Sequence, residues 1–265
     1  MAIKVVNDSV RLSAGETITV PASNGTRRAY NIRPGYQEIL IEPVAAMRLQ
    51  FVPKIVALLL WDDNVARWIN ILESFPLLFD REATTSMPLG TFTTADRLYV
   101  GTVGFIGGLE IDVGATVNAV ASTLSAEYSP ADGDFAAMTV ATDGTDSGGA
   151  TLAQDGLVTL TVPAGWAPRR LESLIPQLSP PKLGQLYWSR FIVSAGLTAA
   201  VILDNITPIG RIAPGTDSTT ARTGGVWLKA STEYTLDVSP EVGSLEILAQ
   251  AASATTARIS WVRRG

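Results

Sequence analysis

Short runs of alternating apolar and polar residues, separated by Gly, Pro, Asn and Asp, dominate the chain. A period of two sends successive side chains to opposite faces, which is the mark of a half-buried strand. Glu16-Thr17-Ile18-Thr19-Val20 has it, with Ile18 and Val20 on one face and the threonines on the other. Met47–Val52 has it too, with Met47, Leu49 and Phe51 on one face. The same pattern predicts strands over 9–13, 38–42, 96–101, 108–113, 122–128 and 156–162. It predicts others over 187–194, 200–203, 226–229, 234–238, 244–249 and 257–262. Gly15 and the Asn24-Gly25 pair supply turns, because glycine adopts positive φ at no steric cost. Ile55–Trp61 is continuously apolar, as expected of a strand buried on both faces, with a short core helix as the competing reading. Residues 62–79 are ambiguous. Val65, Trp68, Ile69 and Leu72 fit one helical face, yet Trp68–Leu72 also fits a strand, the reading preferred here. Residues 166–181 read as a proline-broken loop and 211–225 as a connector rich in Thr, Gly and Pro.

Turn signals recur at the spacing of β-sandwiches, and long helical patterns are missing. The predicted fold is all-β, with two antiparallel, jelly-roll-like β-sandwich domains and little helix. From about residue 82 Ser, Thr, Gly and Asp become frequent and the strands shorten. The two ends of the chain echo one another. Glu38-Ile39-Leu40-Ile41 followed by Met47-Arg48-Leu49 resembles Leu245-Glu246-Ile247-Leu248 followed by Ala257-Arg258-Ile259. A discontinuous domain of residues 1–81 plus 211–265, with 82–210 inserted as a second sandwich, follows from that echo.

Of the 265 residues, 46% are apolar and 17% charged, so a large core is available and disorder is excluded. Mean hydropathy is positive. Some apolar surface is therefore covered by a partner, or the sandwich cores are unusually well filled. The net charge is −5, and no basic run exceeds two residues. A nucleic-acid surface needs a basic stripe, so none is expected. The start of the chain lacks a basic region followed by a long apolar stretch, and Ile55–Trp61 is too short to span a bilayer. No membrane partner is expected.

Histidine and cysteine are both absent. The commonest general base, the thiol nucleophile and the usual soft-metal ligands are thereby removed, and the fold must stand without disulfides. Nucleophilic catalysis would need Ser-Lys, Thr or carboxylate machinery. The four lysines, Lys4, Lys54, Lys182 and Lys229, sit in no Ser-x-x-Lys spacing, and no Gly-x-Ser-x-Gly elbow or phosphate-binding glycine loop occurs. Glu110, Asp112 and Glu127, expected on adjacent strands, are the candidates for paired carboxylates in glycoside cleavage. Their alternative reading is solvent-facing strand positions. Asp132, Asp134, Asp143 and Asp146 offer hard oxygen ligands suited to Ca²⁺, though Asp-Gly pairs also serve ordinary turns and the EF-hand spacing is missing. Of six tryptophans, Trp61, Trp188 and Trp261 fall in strand patterns and are expected in the core. Trp166 lies on a turn, where it serves a loop core or else a glycan-stacking or interface anchor. No cofactor is expected, and the composition points to a protein that is not an enzyme.

The middle of the chain resembles a domain that recurs in tailed-bacteriophage virion proteins. The resemblance rests on Asp96–Gly101 with Phe105–Asp112, on Leu124–Tyr128 with Asp143-Gly144-Thr145 and Leu152–Leu160 up to Trp166, and on Tyr187–Phe191. These are strand and turn signatures over under half of the chain. The resemblance implies a particle component, assembled in the host cytoplasm and located on the virion. Its partners would be the major capsid protein or other virion proteins, and it would be a homo-oligomer, guessed to be a trimer. A capsid cement or decoration protein is the first expectation, since the heptads and glycine-rich shafts of fibres are missing. The alternative is a tail-associated fibre, adaptor or carbohydrate-binding (receptor-binding) module.

Overall fold

A computed structural model describes residues 10–12, 16–20, 28–31, 38–53, 55–74, 86–90, 92–198, 201–209, 226–237, 242–249 and 255–264. The predicted turn at Asn24-Gly25 and the connector at 211–225 lie outside the described residues. In chain order the strands begin with β1 (Val10–Leu12), β2 (Glu16–Val20), β3 (Arg28–Asn31), β4 (Glu38–Pro43) and β5 (Met47–Pro53). Next come β6 (Ile55–Asp62), β7 (Arg67–Asn70), helix α1 (Ile71–Ser74), β8 (Met87–Gly90), β9 (Arg97–Thr102) and β10 (Gly108–Val113). Then follow β11 (Leu124–Tyr128), β12 (Ala136–Met138), β13 (Val140–Asp143), β14 (Gly156–Leu160), β15 (Pro168–Arg169) and helix α2 (Leu171–Leu174). After one 3-10 turn at Pro176–Leu178 the chain runs through β16 (Leu186–Val193), β17 (Val201–Ile209), β18 (Val226–Leu228), β19 (Tyr234–Asp237), β20 (Val242–Ala249) and β21 (Thr255–Arg264). The fold is all-β, and the strand pairs whose register is described are antiparallel.

The chain divides into two compact units, Met1–Phe51 with Arg222–Gly265, and Val52–Ala221. In the first unit β21 lies between β4 and the pair β1 and β2, so both ends of the chain share one sheet. Ile39 stands opposite Trp261 and Ile41 opposite Ile259, and all four are buried. A second sheet of this unit runs β18-β5-β20-β3. The division differs from the boundary expected at residue 81. Strands β6 and β7 pair into the sheet of β9, in the second unit, because the apolar run Ile55–Trp61 needs cover on both faces and finds it there.

The second unit has one sheet of order β12-β11-β16-β9-β6-β7, with β15 beside β16, and another of order β13-β14-β10-β17-β8. Their facing side chains form a single core. Leu58, Leu60, Leu98, Val100, Ala126 and Phe191 come from the first sheet, and Leu109, Ile111, Val158, Leu160, Val201 and Leu203 from the other. The ambiguous segment resolves into both readings: Arg67–Asn70 is strand and Ile71–Ser74 one turn of helix, with Ile71 buried. Among the described residues no helix is long and apolar enough to cross a membrane.

The first of these sheets is buried on its outer face as well. Ala57, Leu59, Trp61, Tyr99 and Trp188 point outward into a smaller core closed by Leu171, Leu174 and Ile175. The stretch predicted as a loop is thus a strap. Trp188 Nε1 donates to Arg169 O (2.9 Å) and Trp68 Nε1 to Leu178 O (2.8 Å). Each bond satisfies an indole N–H and a backbone carbonyl that burial would otherwise orphan. Gly101 makes room for the strap's anchor, since a Cβ there would stand 2.8 Å from the Trp188 ring. Trp61, Trp68, Tyr99 and Phe135 form a row with centroids 5.1–5.8 Å apart. The Arg190 guanidinium caps it at 4.4 Å from the Phe135 ring and is paired with Glu127.

Burial pushes the Tyr99 phenol above its ordinary value of 10.0, and the neighbouring Arg190 charge only partly offsets this. Above that pH the unfolded chain ionises first, so stability falls as pH rises toward the folded value. Tyr99→Phe is expected to flatten this alkaline loss in denaturant titrations across the pH range. Identical alkaline limbs for the variant and the wild type would contradict the assignment.

Candidate interaction face

At one end of the second unit three loops meet: residues 114–123, 147–153 and 194–198. They consist of Gly, Ala, Ser, Thr, Val, Leu and Asn, without a single charge. About one residue in six of the chain is charged and neutral stretches of ten or more residues recur along it, so what sets this face apart is that three neutral loops meet there. Ala115, Val117, Ala119, Val120 and Ala121 are exposed, Val117 at 41% and Val120 at 40%.

One buried side chain joins the three loops. Asn118 is 2% exposed. Its Nδ2 group, with two hydrogens, lies 2.9 Å from each of Val120 O, Ser122 Oγ and Thr151 O. Its Oδ1 accepts from Val120 N (3.0 Å), Thr198 N (3.0 Å) and Thr198 Oγ1 (3.3 Å). The opposite amide orientation would set the NH₂ group against two backbone donors, so the network fixes it. Backbone bonds reinforce the junction, from Asn118 N to Leu152 O, Ser122 N to Gly149 O and Ser194 N to Thr123 O. A loop bonded this densely is ordered before any partner arrives, which removes much of the entropic cost of binding.

The Asp-Gly-Thr turn braces the same loops. Asp143 Oδ1 accepts from Thr145 N (3.0 Å) and Thr145 Oγ1 (2.6 Å). Thr145 Oγ1 in turn accepts from Leu152 N (3.0 Å) and lies 3.2 Å from Thr151 Oγ1. Asp146 Oδ1 accepts from Gly149 N at 3.2 Å. These two carboxylates are turn and loop braces. Asp132 and Asp134 are exposed on the β11–β12 turn, and among the described residues no group of three or more acidic side chains is placed to hold a metal ion. The four aspartates offered for calcium are therefore not one site.

Trp166 is 3% exposed, so its ring has no face for a sugar. It closes the main core against Phe105 (5.8 Å) and Tyr187 (6.3 Å), and its Nε1 donates to Trp188 O at 3.0 Å. The loop-core role holds, and the stacking and interface roles fall because burial takes the whole indole. Glu110 and Asp112 lie on β10, while Glu127 lies on β11 in the other sheet. The three carboxylates are not on adjacent strands. Glu110 is buried, so the solvent-facing reading fails for it, while Glu127 is part-exposed and paired with Arg190.

A groove of about 300 Å³ near the β6–β7 turn is lined by Leu60, Ile69, Leu89 and Phe92, with Asp62 and Arg67 at its rim. Its buried carboxylate, Asp96, is occupied by Asp63 N (2.7 Å), Thr93 N (2.6 Å) and Thr93 Oγ1 (3.0 Å). Comparison with family models, curated proteins and solved structures finds no match for the chain.

Sequence reasoning missed the Asn118 junction. Its only local signal is the uncharged run Gly114–Ala126, which carries an Asn at its middle. Asn118→Ala removes the acceptor of the part-buried Val120 and Thr198 N–H groups and the donor to Thr151 O, and is expected to cost about 1–3 kcal/mol. Hydrogen exchange should accelerate at Val120, Thr151 and Thr198 together. Acceleration at Val120 alone would show that Asn118 serves only its own loop.

Proposed function

We propose that the protein is a non-enzymatic structural component of a tailed-bacteriophage particle, a capsid cement or decoration protein that binds capsid subunits and stabilises the head. The observation that carries this reading is the rigid, uncharged loop face held by Asn118. Interface centres are depleted of charge and well ordered, and this face has both properties. Polar side chains elsewhere are spent on structure: Asp96, Asp143 and Asp146 hold turns, and the indoles of Trp68, Trp166 and Trp188 hold backbone carbonyls. The strand and turn resemblance to virion domains points the same way. Contact would stabilise the shell through area burial, at about 25 cal/mol per Å² before ordering costs. A symmetric homo-oligomer such as a trimer would present several such faces to the capsid lattice. The carbohydrate-binding alternative loses its anchor with Trp166 in the core.

Particles lacking the chain are expected to rupture earlier on heating and osmotic shock, and added wild-type protein should restore them. Val117→Glu with Val120→Glu places charge on exposed positions, so folding should persist while restoration fails. Equal fragility with and without the chain would overturn the cement role.

A further inference from the structure

We propose that Asp132 is a site of spontaneous isoaspartate formation, and that the fold protects the chain's two other Asp-Gly pairs from the same reaction. In this chemistry the backbone nitrogen of the following residue attacks the aspartate Cγ. A C–N bond forms, water leaves, and a five-membered succinimide results. Water then adds at either ring carbonyl, and the ring C–N bond at that carbon breaks to leave a free carboxylate there. Addition at the former backbone carbonyl leaves the chain running through the side-chain carboxyl, with no net change in mass. Glycine as the following residue offers the least obstruction, since it has no Cβ.

The three pairs are Asp132-Gly133, Asp143-Gly144 and Asp155-Gly156. The reaction needs a carboxyl group free to turn, a free nitrogen and room for the ring. Asp143 fails the first two conditions. Its Oδ1 is held by Thr145 N and Thr145 Oγ1, and Gly144 N donates to Leu157 O at 2.8 Å. Asp155 fails the first and third. Its Oδ1 accepts from Val113 N at 2.7 Å, and Gly156 stands opposite Ile111 in the sheet, with the Gly144 backbone against its Cα.

Asp132 meets all three. It is exposed, and among the described residues neither its carboxylate nor the Gly133 N–H has a hydrogen-bond partner. Gly133 has φ of +79°, and nothing lies within 4 Å of the position a Cβ would take. Arg169 Nη1 meanwhile bonds Pro130 O (3.0 Å), Ala131 O (3.0 Å) and Gly133 O (3.4 Å). Those bonds hold the turn by its carbonyls and leave the reacting groups outside. The site's ligand class follows: once formed, the isoaspartyl carboxylate is a substrate for an enzyme that methylates L-isoaspartyl groups.

The test is prolonged incubation of the full folded chain at neutral pH. Isoaspartate is then located by methyltransferase labelling and electron-transfer fragmentation of peptides. The native chain should carry at least about tenfold more isoaspartate at Asp132 than at Asp143 or Asp155, because the protected pairs react only through local opening. In concentrated guanidinium the three pairs should react at similar rates. Asp132→Glu should abolish the native label, since its ring would be six-membered. Absence of label at Asp132, or native rates at Asp143 and Asp155 equal to their denatured rates, would overturn the proposal.

Discussion

Burial of β16 on both of its faces is the constraint on which the larger unit depends. Phe191 and Val193 enter the core between the two sheets, and Trp188 enters the smaller core under the strap. A strand covered on both sides must satisfy its polar groups internally. Trp166 Nε1 meets Trp188 O, and Ser129 Oγ meets Trp188 N at 3.1 Å. The strand then runs straight into loop 194–198, whose Thr198 is held by Asn118. The order of the candidate face is thus continuous with the core that fixes β16. Without disulfides, this double burial and the polar bonds around it carry the order of the unit.

Strand positions were legible because alternation reports directly which face is buried. Gly108–Val113 matches its predicted bounds, and Leu186–Val193 lies within a residue of them. Ile55–Asp62 is the buried strand its apolar run announced, but that run does not say which sheet will cover it. Hence the expected boundary at 81 misplaced β6 and β7. The strap at 166–181 was illegible for a different reason. Its order comes from indole-to-carbonyl bonds between residues as much as 110 positions apart, and prolines hide its short helices from any periodicity. Trp166 and the aspartates misled for a shared reason, since residue type reveals capacity for contact but not whether the fold has already used it.

The candidate face illustrates the converse. Its components are the least conspicuous residues in the chain, and no catalytic or metal motif marks them. What distinguishes them is arrangement: three neutral loops, one buried amide satisfying both donors and acceptors, and valines directed outward. A surface so ordered at its own expense of side-chain bonds has little need to reorganise on contact. That property suits a permanent component of an assembly better than a transient binder.

The central claim is that this face is covered when the protein is assembled. Hydroxyl-radical footprinting of free protein against assembled particles tests it most directly. Oxidation at Val117 and Val120 should fall sharply on assembly, while exposed positions such as Val44 keep their reactivity. Unchanged oxidation of Val117 and Val120, with protection appearing elsewhere on the chain, would contradict the account.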